Sequence, residues 1–249
     1  MEALAGRIVK DCQELLAREK VALEALAAAA KHYAAASKSL QAERQAALEV
    51  IRRNPDAKDK ILEGLADDKH LAAVLAARAS AYLAMAEIRS RQLQTAKDNA
   101  LLADRIAAAA KAMGLAVPAV VGQLKAFKAA DAETRKLAEE DYKRAEDDLL
   151  AVLRSHLNDR TIGHSVGECI GSNIRWIYQG QLADTYLGHY RLTGDKAVLA
   201  QAEEFVKKAL EGKERSPYLT PVRRLKVVID KAAKGDDSAT GAGTRTGSV

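Results

Sequence analysis

Residues 161–194 read TIGHSVGECIGSNIRWIYQGQLADTYLGHYRLTG, and the composition of this stretch decides how the rest of the chain is read. It holds four formal charges, Glu168, Arg175, Asp184 and Arg191, in a chain that is 29% charged, together with the single Trp and three of the seven Tyr. Gly163, Gly167 and Gly171 recur every four residues, which on a helix makes a smooth strip where a second backbone can approach. A helix-interior Gly costs about 1 kcal/mol relative to Ala, so the pattern requires tight packing to offset it. The stretch reads as the enclosed centre of an all-α protein.

Composition supports that class. With 249 residues there is room for one large domain or two small ones. Aromatics at 4% and four Pro, set against abundant Ala, Leu, Lys, Glu and Arg, point to long helices. The net charge is +5, but 18 Lys/Arg oppose 15 Asp/Glu in residues 1–113 and 13 oppose 10 in 161–249, so the overall basic field is weak. The longest uncharged run, 112–124, contains Pro118 and two Gly and is too short to span a bilayer, so no transmembrane segment is expected. The start lacks a basic n-region followed by an apolar h-region; the expected location is cytoplasmic, or periplasmic or exported if a signal peptide has been removed. Cys12 and Cys169 fall on apolar faces and read as buried free thiols.

From 2 to 53 the small and apolar residues step by four and three through Ile8, Cys12, Leu15, Ala22, Leu26, Ala29, Tyr33, Ala36, Leu40, Ala47 and Val50, interrupted at Glu19 and Glu43. Asn54-Pro55-Asp56 breaks the helix. A second series, Leu65, Ala72, Leu75, Ala79, Tyr82, Ala86, Leu93, Ala96, Ala100, Ala103, Ala107 and Ala110, repeats the rhythm with breaks at Asp68 and Arg89. Two helices of about 50 residues, each about 75 Å long, joined by a turn, are expected to lie antiparallel as a coiled-coil hairpin over 2–113. Leu71, Leu83, Ile88, Leu102 and Ile106 form a second stripe, which a third helix or a second copy of the chain has to cover.

A compact helical part is expected over 119–234. It comprises a short helix at 119–130, a helix from Asp131 with the stripe Ala138, Tyr142, Ala145, Leu149, Val152 and His156, and the central stretch. A helix capped by Asp195 follows, showing Leu199, Ala202, Phe205, Val206 and Ala209 and ending at Gly212, and then a final helix after Pro221. Residues 235–249 are expected to form a disordered tail.

Trp176, Tyr186, Leu187, Gly188 and Tyr190, then Thr193-Gly194-Asp195, then Ala202, Phe205 and Ala209 resemble a tetratricopeptide (TPR) helix-turn-helix unit over about residues 170–215. The turn is about three residues longer than in that family. The resemblance implies a TPR-like packing of the C-terminal bundle and a concave surface that takes peptides or partner helices.

Site chemistry is sparse. His164 and Glu168 share a helix face beside Cys169, but a metal needs three or four ligands and no HxxH, CxxC or ExxH pair completes the set. No G-x-S-x-G elbow or phosphate-binding loop occurs, so no catalytic residue, metal or cofactor is assigned and no enzyme is expected. His156 and His189 read as core or boundary residues. Between Lys207 and Lys234 nine Lys/Arg face three Asp/Glu, with Arg223, Arg224 and Lys226 on the polar side of an amphipathic helix. The expected function is a non-catalytic scaffold or adaptor for a protein partner or a homo-oligomer. Arg175, Gln179, Tyr186 and Tyr190 are the groove contacts and Arg223, Arg224 and Lys226 an electrostatic rim. Nucleic acid is not the expected partner, since only Tyr218 interleaves the basic run. The alternatives are a nucleic-acid-binding regulator using the basic helix and a ligand- or metal-binding bundle around His164, Glu168 and Cys169.

Overall fold

The structure, a computed structural model, describes residues 2–57, 68–126, 131–154, 175–211 and 219–235. Gly163, His164, Gly167, Glu168, Cys169, Gly171, His156, Leu65 and the tail 236–249 lie outside the described residues. Among the described residues the chain is all-α, with seven α-helices and no strand. They are α1 (Glu2–Arg53), α2 (Asp68–Ala112), α3 (Val120–Ala126), α4 (Asp131–Arg154), α5 (Arg175–Thr193), α6 (Lys196–Leu210) and α7 (Thr220–Ala233), with one 3-10 turn at Pro55–Ala57.

α1 and α2 run antiparallel: Cys12 meets Asn99 at 3.6 Å, Glu19 meets Arg91 at 3.8 Å and Ser37 meets Arg78 at 3.2 Å. The inward face of α1 steps through Val9, Cys12, Leu16, Glu19, Leu23, Leu26, Ala30, Tyr33, Ser37 and Leu40, alternating by three and four. This corrects the expected series by one residue at every second position. Leu15 and Val50 stay exposed, at 47% and 51%, while Glu19, expected as a break, is buried. Neighbouring rows on an Ala-rich helix lie only about 100° apart, so apolarity alone separates them weakly. The inward row is the one that sets Glu19 against Arg91 and Cys12 against Asn99.

On α2 the exchange is partial. Ala72, Leu75, Ala79, Ala86, Leu93, Ala96 and Ala103 are buried as expected; Ala79 clusters with Ala145 and Leu149 of α4, while Ala103 clusters with Val9 of α1 as well as with Val120, Val121 and Leu124 of α3, and Leu40 of α1 packs on the Ala72–Leu75 cluster. The face toward α1 carries Ala81 and Met85, which cluster with Ala30. It also carries the second-stripe residues Leu102 and Ile106, which pack with Ile8 and Val9. That part of the stripe is covered within the chain. By length and composition α2 is apolar enough to cross a membrane; in this fold its faces pack on α1, α3 and α4.

α4 is antiparallel to both α2 and α5, as the pairs Arg89–Asp141, Arg78–Asp148, His189–Glu146 and Arg175–Leu153 require. Its expected stripe, Ala138, Tyr142, Ala145, Leu149 and Val152, is buried throughout. Gly194, at φ +76°, reverses the chain between α5 and α6, and Asp195 caps α6 by accepting from the Ala197 N–H at 2.8 Å. The largest apolar cluster joins Ala79 of α2 with α4 to α7. Trp176 is half-buried against it, and its indole N–H has no hydrogen-bond partner among the described residues.

Candidate interaction surface and the polar seam behind it

Two kinds of polar group need separating: those that hold the helices together and those that face outward. α4 supplies most of the first kind. Its carboxylates Asp141 and Asp148 point to α2, where Asp148 accepts from Arg78 Nε at 2.7 Å and Nη2 at 2.6 Å in a two-pronged pair. That pair raises the Arg78 pKa, and Arg78 also donates to Ser37 of α1 at 3.2 Å, so three helices meet there. Asp141 pairs with Arg89, whose charge burial disfavours, and lies 3.8 Å from Arg144. On the other side of α4, Glu146 meets Nδ1 of the buried His189 at 2.6 Å.

Tyr142 fills the space between these pairs. Its ring stacks on His189 at 5.7 Å with planes 5° apart, and it presses against Gly188, where a Cβ would come within 2.8 Å of Cε1. Burial pushes its hydroxyl up to about 12. Asp184, one turn before Gly188, is pushed up to about 6, chiefly by burial and then by Glu87, against the pull of Arg191. The junction thus favours the protonated carboxyl over the ionised one relative to a solvated Asp. Among the described residues no group of three or more His, Cys, Asp or Glu is placed to hold a metal ion.

The structure divides the expected surface in two. Tyr186 is not a groove contact: it is buried, stacked on Phe205 at 5.8 Å, with its hydroxyl pushed to about 12 by burial. The reason is helical phase, since Leu182, Ala183, Tyr186 and Leu187 share the inward face of α5. Arg175 is tied to the end of α4 by donating to the Leu153 carbonyl at 2.9 Å, and Gln179, one turn further along α5, is half-buried.

A Cβ at Gly180 would come within 3.2 Å of Val222 Cγ2, so α7 approaches closely there and brings Arg223 and Arg224 to this same end of α5. Tyr190 lies at the other end, about 15 Å beyond Gly180 at 1.5 Å per residue, in a shallow cleft with Lys196, Leu199, Glu203, Ala232 and Lys234. The basic rim is partly neutralised. Lys226 pairs with Asp230 at 2.6 Å and Arg223 donates to Thr220 at 3.4 Å, while Arg224 is exposed.

The seam residues Arg78, Arg89, Asp141, Glu146 and Asp148 were not anticipated as a set. The available signal was charge at stripe positions, since a charge on an inward face demands an opposite charge across from it. Compared with known proteins, the chain matches no family model, no curated protein and no solved structure.

Proposed function

We propose that the chain is a non-catalytic helical scaffold or adaptor whose protein partner, another protein or a second copy of the chain, lies along α1. The observation that carries this reading is the outer face of α1. This helix of 52 residues, about 78 Å long, is covered along one stripe and leaves Leu15, Val21, Leu48 and Val50 between 43% and 65% exposed. In this reading α1 and α2 form an antiparallel coiled coil. α5 and α6 pack in a TPR-like way, a view supported by the Tyr186–Phe205 stack across their interface. The cleft at Tyr190 is a second, smaller contact area.

The test is affinity capture from the native source with the full chain and with Leu15→Glu/Val21→Glu, alongside sedimentation of both proteins. These positions are exposed, so the fold is retained and circular dichroism should not change. The reading expects specific proteins, or a self-associated form, to be lost in the variant. An unchanged capture set and an unchanged mass for the two proteins would refute it.

A further inference from the structure

The end of the hairpin carries an apolar feature that α1 does not explain. α2 ends in a turn in which the Leu115 N–H donates to the Ala110 carbonyl at 2.9 Å and the Gly114 N–H to the Lys111 carbonyl at 3.1 Å, with Gly114 at φ +66°. This is the Schellman arrangement, in which the residue after the glycine commonly packs its apolar side chain back on the helix. Here Ala110 offers a small, buried side chain and Leu115 remains 60% exposed. Met113 and Val117 are exposed to 54% and 53%. Pro118 then leads into α3, whose first turn is held by the Val121 N–H donating to the Pro118 carbonyl at 3.1 Å. Three large apolar side chains therefore sit on a short, well-braced tip, which is neither a groove nor a helix face.

Charge identifies the kind of surface that would receive them. From Asp104 to Ala126 the described chain contains Arg105, Lys111 and Lys125 and a single carboxylate, Asp104. Lys125 is engaged by Asp104 at 2.8 Å; Arg105 and Lys111 are exposed on the last turns of α2. Apolar side chains that project beyond flanking cations match the boundary of an anionic bilayer, where acyl chains take the former and headgroups the latter. We infer that the tip Met113–Val117 docks the hairpin end-on to an anionic lipid surface, an inference independent of the partner proposed for α1.

The experiment is flotation of the full-length protein with vesicles of phosphatidylcholine alone and of an equimolar mixture with phosphatidylglycerol, at low and high salt. Flotation with the anionic vesicles is expected, reduced by salt because the cations act through a screened field. Met113→Ser/Leu115→Ser/Val117→Ser should lower partitioning by about tenfold or more. Lys111→Glu should lower it less. Since all four positions are exposed, circular dichroism should match the parent. Absence of flotation, equal flotation with neutral vesicles, or flotation that survives the triple substitution would each overturn the inference. So would a concentration-dependent dimer abolished by the triple substitution in a protein that does not float, because the tip would then be a self-association surface.

Discussion

α1 and α4 are both charged helices lying against α2, yet they are held in different ways. α1 is 52 residues long and buries Val9, Glu19, Ala30 and Ser37; α4 is 24 residues long and buries eight side chains, facing α2 on one side and α5 on the other. Each large apolar side chain removed from water contributes roughly 1.5–3 kcal/mol, and α4 buries Tyr142, Leu149, Val152 and Leu153 where α1 buries Val9 and Ala30. Helix length is thus no measure of how firmly a helix is held. α4 is the element the fold is built on and α1 is an arm laid along α2, for which a lower free energy of local opening is expected.

The largest expected effect comes from the seam that fixes α4. Asp148→Ala leaves the Arg78 guanidinium enclosed without its counter-charge and should cost about 3–5 kcal/mol in urea unfolding at constant slope. A loss below about 1 kcal/mol would remove α4 from its place in the account. Next, Leu149→Ala, at a site 2% exposed, should cost about 3 kcal/mol, while Leu23→Ala on the half-buried seam of α1 should cost about 1 kcal/mol. Equal losses would abolish the distinction between the two helices.

The α2–α4–α5 junction also makes a statement about pH. Asp184 has a folded-state pKa of about 6 against an ordinary 3.8, so the folded state binds the proton more tightly than the unfolded one. Its favourable contribution is present below about pH 4 and is lost as pH rises through 6, a change of about 3 kcal/mol. Asp184→Asn should flatten the dependence of the urea midpoint between those values and leave the protein more stable than the parent at pH 8. An unaltered pH profile would show that the carboxyl is solvated. Smaller still, Gly188→Ala forces a methyl against Tyr142 and should cost about 1–2 kcal/mol. Gly180→Ala meets only a Val222 methyl at 3.2 Å and regains helix propensity, so it should stay within about 1 kcal/mol of the parent. Similar values for the two would mean that Tyr142 yields freely.

Much of the helical plan could be read from the sequence because it depends on local chemistry. The stripes of α4 and α6, the final helix after Pro221, the Asp195 cap and the Gly194 reversal all follow from periodicity and turn residues, and each is present. Facing was harder to read. α1 and α2 each carry two adjacent Ala-rich rows that differ little in hydrophobicity, so the partner of each row was settled by polar groups far apart in sequence, such as Arg78 and Asp148. Spacing alone makes Glu19 and Arg89 interruptions, whereas they are inward-facing members of ion pairs. Of the expected surface residues, Tyr190 lies in a cleft and Tyr186 in the core, a difference of one helical turn that only the docking of α6 decides.

Native-state hydrogen exchange followed segment by segment tests the central claim most directly. Amides of α1 should exchange by a local opening well below the global unfolding free energy, while those of α4 and the facing half of α5 should exchange only with global unfolding. Joining Cys12 to Asn99→Cys by a disulfide should slow exchange in α1 alone. Protection of α1 equal to or greater than that of α4 in the parent protein would contradict the account.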